Sequence, residues 1–99
     1  MQFLVVAKDG TDEGALERRQ RTRPTHLDSI GPLVGSGNVL IGGAILDDAG
    51  DMIGSMLLVE FADREGLDAW LSGDPYVTEG VWQNIEVHPF RTAVGAWQP

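Results

Sequence analysis

Residues 52–61 read Met-Ile-Gly-Ser-Met-Leu-Leu-Val-Glu-Phe, and this stretch decides how the chain folds. A short, mostly apolar run between two polar segments is typical of a β-strand. Alternate side chains of a strand point to opposite faces of its sheet. Both alternating sets are largely apolar: Ile53, Leu57, Val59 and Phe61 on one side, and Met52, Met56 and Leu58 on the other. The strand therefore needs apolar cover on both faces.

Three more strands are predicted around this one. Residues 39–46 form a matching apolar run, and the polar segment 47–51 between the two runs predicts a hairpin turn. Residues 2–7 and 81–94 supply a first and a last strand.

Helices are predicted between the strands. Residues 15–21 form a helical turn or two, and a longer helix opens at Pro24 and stops at Gly35. A further helix begins at Asp63 as N-cap and ends at Gly73. The resulting order, βαββαβ, is typical of an α+β ferredoxin-like sandwich, in which two helices cover one face of a four-stranded antiparallel sheet.

The other face of this sheet needs a partner from outside the chain. An antiparallel sheet with a solvated face alternates apolar and polar residues, and the stretch 52–61 does not. We therefore expect a homodimer that packs through the uncovered sheet face. With 99 residues, the chain is expected to form a single domain over residues 1–99.

Composition narrows the classes of partner. The net charge of −8 disfavours nucleic acid and anionic membrane surfaces, and no apolar run is long enough to span a bilayer. The chain has no cysteine, and its first twenty residues lack the long apolar run of a signal peptide, so we expect a cytoplasmic protein. Four of its seven basic residues lie within 18–23. This group either binds a small anion, with Arg23 as the main contributor, or forms a solvated face with a Glu17–Arg21 pair.

His26 is a candidate base. It follows Pro24 closely and shares a helix side with Ile30 and Leu33, so its ring is expected to face the sheet. In a first helical turn the macrodipole disfavours the protonated imidazole and keeps a neutral base available. The alternative is that His26 fills an edge of the core and hydrogen-bonds a backbone group.

Asp74 is a candidate partner for this histidine. Asp74-Pro75 predicts an N-cap followed by proline at the first helical position, in a turn closed by Gly80. A capping carboxylate close to His26 would also orient the ring and stabilise its protonated form. Because 48 positions separate the two residues, the sequence does not show whether they meet.

Ser55 and Tyr76 are candidate pocket residues. Ser55 interrupts an apolar strand directly after Gly54, and Tyr76 combines an apolar ring with a polar tip. Either residue is equally compatible with a purely structural position. Trp82 is predicted to be a packing residue, and Trp97 belongs to a tail that would lie over the partner subunit.

Neither a metal nor a cofactor is predicted. His26 and His88 are the only histidines, and their spacing matches no metal-binding motif. Gly42 and Gly43 lie inside a strand rather than in a phosphate-binding loop.

Taken together, the motifs resemble those of YCII-like (YciI) proteins over nearly the whole chain. The matching segments are Arg23-Pro24-Thr25-His26-Leu27, Gly54-Ser55, Asp74-Pro75-Tyr76 with Gly80, and His88-Pro89-Phe90. One departure is Gly42-Gly43-Ala44, at a place where such proteins usually have Gly-Pro. The resemblance implies a dimeric α+β barrel of ferredoxin-like subunits with a His/Asp active site. That site falls on His26 and Asp74, with Arg23, Ser55 and Tyr76 as pocket neighbours.

The function that follows is a small enzyme, a lyase or an isomerase. The resemblance implies a small ring-derived or chlorinated substrate, either an organic acid or a phenol. His26 would accept a proton from it, Asp74 would orient the ring and Arg23 would hold the anion. The alternative is a dimeric module without catalytic activity, which binds a small molecule or a partner protein and in which the histidine is structural. A third possibility is cofactor-independent oxygen chemistry, as in other dimeric α+β barrels.

Overall fold

A computed structural model describes residues 1–95 and contains four strands and three helices in that part of the chain. The strands are β1 (Gln2–Asp9), β2 (Val39–Leu46), β3 (Met52–Glu60) and β4 (Trp82–Phe90). The helices are α1 (Ala15–Gly35), α2 (Arg64–Gly73) and α3 (Pro75–Thr78). The predicted tail residue Trp97 lies outside the described residues.

The four strands form one antiparallel sheet in the order β2-β3-β1-β4. The central pair is set by register, with Phe3 opposite Val59 and Val5 opposite Leu57. These four side chains are buried in the core together with residues of all three helices: Ile30, Leu67, Leu71 and Tyr76. The predicted α+β ferredoxin-like fold, with helices packed on one face of the sheet, is thereby confirmed.

The opposite face of the sheet is apolar on β1, β2 and β3 and more open to solvent, whereas β4 contributes exposed polar residues to it. Leu4, Val6 and Met56 alternate with the core residues of β1 and β3 and are only partly buried. Ile41 on the edge strand β2 is 46% exposed. The folded sheet therefore carries apolar residues of β3 on both of its faces. The outer face of the sheet is the surface on which a second copy of the chain is predicted to pack.

The first helix differs from the prediction. The sequence predicts two helical segments separated at Pro24, whereas α1 is one helix of 21 residues with Pro24 and Pro32 inside it. A proline inside a helix removes a backbone hydrogen bond and typically costs about 3 kcal/mol. Pro24 is exposed, so water can bind the freed carbonyl. Burial of residues on both sides of it, Arg19 and Ile30 among them, holds the two halves in one line.

The last strand is shorter than predicted. It ends at Phe90 rather than at Val94. Phe90 pairs with Gln2, the first residue of β1, so the neighbouring strand offers no further partners. The capping prediction at Asp63 is correct, since its carboxylate accepts a hydrogen bond from the backbone N–H of Gly66 at 2.8 Å.

Candidate active site

A cavity of about 230 Å³ lies between α1, α3 and the strands β2 and β3. Its polar lining consists of Arg19, Arg23, His26, Ser55 and Tyr76. Its apolar lining comes from Leu27, Ile30, Val34, Val39 and Leu57, and Gly42, Gly43 and Ala44 complete the wall. Four of the five residues predicted from the sequence thus line one cavity, and Asp74, the fifth, lies directly behind His26.

The fold brings His26 and Asp74 into contact. His26 Nδ1 lies 2.8 Å from Asp74 Oδ2, and both side chains are buried. The same Oδ2 atom accepts a hydrogen bond from the backbone N–H of Tyr76 at 2.9 Å, as the N-cap of α3. One carboxylate therefore caps a helix and contacts the imidazole. The other oxygen, Oδ1, is buried without a hydrogen-bond partner among residues 1–95.

This contact fixes which nitrogen of His26 is available for chemistry. Facing an ionised carboxylate, which only accepts hydrogen bonds, a neutral imidazole carries its hydrogen on Nδ1 and its lone pair on Nε2. Nε2 makes no hydrogen bond within the described part of the chain, and the ring lines the cavity. A carboxylate on Nδ1 also stabilises the imidazolium that forms when Nε2 takes up a proton. The pair can therefore act as a base toward a ligand in the cavity.

The expected effect of the helix macrodipole on His26 is wrong. Because α1 begins at Ala15, His26 lies eleven residues into the helix rather than in its first turn. The field of the helix terminus falls off within one turn. The orientation of the imidazole is explained instead by its contact with Asp74.

Two aromatic rings hold the imidazole in place. The rings of His26 and Tyr76 stack with centroids 3.8 Å apart and an interplanar angle of 6°. Trp82 packs edge-on against both rings, at 5.6 Å from His26 and 5.3 Å from Tyr76. Burial raises the pKa of the Tyr76 hydroxyl and outweighs the guanidinium of Arg19, which acts to lower it. The phenol is therefore neutral at neutral pH.

Arg19 is a residue that the sequence prediction missed. By sequence it belongs to the basic group at residues 18–23, for which exposure is expected, yet its side chain is only 3% exposed. Nη1 donates to both oxygens of Asp9, at 2.9 and 3.0 Å, and Nη2 donates to Ser55 Oγ at 2.7 Å. Trp82, predicted to be a packing residue, also donates a hydrogen bond to Ser55 Oγ, at 3.1 Å. A buried polar network therefore supports one wall of the cavity.

The sequence does contain a signal for this network. Arg19, Thr22, His26 and Ile30 follow one another at spacings of three, four and four, and all four are buried. Such spacing marks a single helix face. The pattern is visible only if the helix continues through Pro24.

Arg23 lies at the exposed side of the cavity. It forms no ion pair with another of residues 1–95, so its charge is available to an anionic ligand. The predicted pair of Glu17 and Arg21 is present at 3.9 Å, but both side chains are well exposed and such pairs contribute little.

Gly42 sets how close the wall of β2 can come. A Cβ at this position would collide with Leu57 Cδ2, whereas a Cβ at Gly43 would meet nothing within 4 Å. A side chain at Gly42 would lie on the same face of the sheet as Leu57, and one at Gly43 on the same face as Met56, since these residues pair in the sheet. Of the two positions, Gly42 is therefore the one at which an added side chain would change the shape of the cavity.

Residues 1–95 contain no group of three or more side chains of the metal-ligating types that could hold a metal ion. Among the helices of that part of the chain, none is both long and apolar enough to cross a membrane.

The sequence of the chain matches a known protein family. The family model of the YCII-related domain matches residues 1–91. The chain belongs to the YCII-related family. This confirms the resemblance seen in the sequence motifs. Among YCII-related relatives, Protein YciI of Escherichia coli O6:H1 is 34% identical over 97 residues, which cover 92% of this chain and 97% of that protein. A protein of Haemophilus influenzae, described only as uncharacterized, is 28% identical over the same shares.

Solved structures place this YCII-related chain next to an enzyme. The 5-chloro-2-hydroxyhydroquinone dehydrochlorinase TftG from Burkholderia phenoliruptrix AC1100, in complex with 2,5-dihydroxybenzoquinone, superimposes with a TM-score of 0.81. It is 26% identical, and the match covers 94% of this chain and 96% of TftG. A dimeric ferredoxin-like protein of unknown function from Jannaschia sp. CCS1 matches with a TM-score of 0.54 at 17% identity, over 92% of this chain and 98% of its own. That second likeness supports the fold alone.

Proposed function

We propose that this YCII-related protein is a small lyase that removes a proton from a hydroxylated, single-ring compound and expels a leaving group such as chloride. The observation that carries the proposal is the geometry of His26, whose Nδ1 contacts Asp74 and whose Nε2 is left for a ligand in the cavity. The likeness to TftG, a dehydrochlorinase, supports this class of reaction.

The size and lining of the cavity favour one ring. A cavity of about 150 Å³ can hold a benzene molecule, whereas pockets for drug-sized ligands start near about 300 Å³. At about 230 Å³, this cavity suits a six-membered ring with a few small substituents. Apolar side chains such as Ile30 and Leu57 would pack against the ring, and Arg23 would bind an ionised oxygen at the open side.

The proposed elimination balances without an oxidant or a reductant. The step starts from the keto tautomer of the ring, in which the carbon that bears chlorine also bears a hydrogen. An O–H bond of this tautomer breaks, its proton goes to His26 Nε2, and its electron pair becomes a C=O π bond. The ring π electrons shift toward the chlorinated carbon, the C–Cl bond breaks, and chloride leaves with the bonding pair, so that the products are a quinone, chloride and a proton on His26. Positioned acid–base help of this kind is worth about 10²- to 10⁴-fold in rate, which suffices for an activated substrate.

The partner that we propose for the outer sheet face is a second copy of the chain. The face carries Leu4, Val6, Ile41 and Met56, an apolar set that a monomer would leave in water. Sedimentation or light scattering is expected to give the mass of a dimer, and a Val6→Glu variant is expected to shift it toward the monomer. A monomeric wild type in dilute solution would contradict this part of the proposal.

The test of the reaction is chloride release from 5-chloro-2-hydroxyhydroquinone and related chlorinated hydroquinones. We expect release that depends on the protein and falls about 10²- to 10⁴-fold in His26→Gln. His88→Gln is the matched control for loss of a histidine, because His88 is the other histidine and its exposed side chain lies beside Glu86, outside the cavity. A His26→Gln variant as active as the wild type would rule out the mechanism. If a ring compound binds and no substrate turns over, the alternative of a binding module is favoured instead.

A further inference from the structure

The hydroxyl of Ser55 lies in the wall of the cavity and already accepts two hydrogen bonds. Arg19 Nη2 donates to it at 2.7 Å, and Trp82 Nε1 donates at 3.1 Å. A serine hydroxyl has two acceptor lone pairs and a single O–H donor. Both lone pairs are therefore occupied, and only the O–H remains for another group.

That remaining hydrogen has no acceptor within the described chain. Ser55 is 4% exposed, and among residues 1–95 its Oγ takes part only in the two bonds it accepts. A buried donor without an acceptor is unfavourable. Because Ser55 lines the cavity, a ligand oxygen with a free lone pair would supply the missing acceptor.

Neither of the two donors can readily turn away from Ser55. The guanidinium of Arg19 is held by both oxygens of Asp9 and lies 4.9 Å from the centre of the Tyr76 ring. The indole of Trp82 is 4% exposed and packs edge-on against Tyr76. The positive charge of Arg19 also polarises the Ser55 hydroxyl, which makes it a better donor.

We propose that Ser55 donates a hydrogen bond to an ionised or carbonyl oxygen of the substrate, and that Arg19 and Trp82 are positioning residues that make it a donor only. This inference rests on the proposed function, since it needs a ring-bearing ligand in the cavity. It narrows the substrate class. A phenol would bind as its phenolate in preference to its neutral form, because a neutral hydroxyl group offers Ser55 a weaker acceptor.

The test uses 4-nitrophenol, a single-ring phenol whose colour reports whether it is ionised. Titration with the protein at several pH values gives separate dissociation constants for the phenolate and the phenol. We expect the wild type to prefer the phenolate. Ser55→Ala is expected to weaken phenolate binding about 10- to 100-fold, the range for a hydrogen bond to a charged group, and to weaken phenol binding less. Ser72→Ala is the matched control, because its exposed hydroxyl donates to the Ala69 carbonyl.

A second variant covers the case in which Ser55→Ala fails to fold, since it leaves two buried donors without an acceptor. Trp82→Phe keeps an aromatic ring and removes one donor, so one lone pair of Ser55 becomes free to accept a hydrogen bond from neutral phenol. Its preference for phenolate is expected to fall. A structural role of the indole would instead weaken both forms of the ligand equally.

The outcomes separate the inference from the proposed function. If wild-type protein binds neither 4-nitrophenol nor 2,5-dihydroxybenzoquinone, the ring-binding cavity is wrong and the donor role of Ser55 is lost with it. If the ligands bind and both variants keep the wild-type preference for phenolate, the donor role alone is overturned.

Discussion

The double role of Asp74 gives the sharpest prediction about stability. In Asp74→Ala the backbone N–H of Tyr76 loses its cap, which costs about 1 kcal/mol. The buried Nδ1–H of His26 also loses its acceptor, which costs about 1–3 kcal/mol more. We therefore expect the free energy of unfolding to fall by about 2–4 kcal/mol.

Asp63 provides a matched control within the same chain. It is also an N-cap, accepting from the backbone N–H of Gly66, but it is exposed and contacts no histidine. Asp63→Ala is expected to cost only the cap, about 1 kcal/mol. Urea unfolding, followed by tryptophan fluorescence and far-ultraviolet circular dichroism, measures both variants on one scale.

A double-mutant cycle isolates the contact itself. In a His26→Ala background, Asp74→Ala should cost no more than the cap, so the coupling between the two residues should be about 1–3 kcal/mol. If Asp74→Ala destabilises the protein no more than Asp63→Ala does, and the coupling is near zero, the buried contact does not hold the imidazole. The argument that Asp74 orients the base would then be refuted.

Three further predictions follow from the cavity and its surroundings. Arg19→Met should lower the free energy of unfolding by about 3–5 kcal/mol, because it leaves the buried carboxylate of Asp9 unpaired. Arg21→Met, which removes an exposed pair, should change it by less than about 1 kcal/mol in the same urea assay. Gly42→Ala should lower the free energy of unfolding by about 1–3 kcal/mol and weaken the binding of 2,5-dihydroxybenzoquinone. Gly43→Ala should change the free energies of unfolding and of binding by less than about 1 kcal/mol. Equal effects of the two variants would contradict the assignment of Gly42 to the cavity wall. Burial raises the pKa of Tyr76 in the folded state above its value in the unfolded state. The contribution of the neutral phenol to stability is therefore complete below the unfolded-state pKa and is lost as the pH rises through the folded-state pKa. The free energy of unfolding should fall above about pH 10, and it should fall less in Tyr76→Phe. It is the only tyrosine, so tyrosinate absorbance reports its ionisation alone.

Local patterns were enough to predict most of the fold. The apolar run of β3, the hairpin before it and the cap at Asp63 depend on neighbouring residues and appear in the structure as predicted. The continuity of α1 was not predictable in this way. At Pro24 the local preference favours a break, and packing of distant residues against the sheet overrides it.

The site was predictable in its parts and not in its assembly. Residue type and spacing selected His26 and Asp74, but only the folded chain shows their contact. The role of Arg19 was missed for a related reason. Dividing the helix at Pro24 separated Arg19 from His26, so the shared buried face of the two residues was hidden. In a group of basic residues, the sequence alone did not show which one turns inward.

The residues proposed for chemistry and the residues that shape the cavity lie on different elements. His26 lies on α1, and Asp74 and Tyr76 lie at the start of α3, while Gly42 and Ala44 belong to the edge strand β2. An edge strand has a single neighbour in its sheet, so its side chains can change with little effect on the remaining strands. A change of ligand through this strand would therefore leave the proposed pair of His26 and Asp74 intact. Directed evolution toward other ring compounds should begin at Ala44, because a side chain at Gly42 would collide with Leu57.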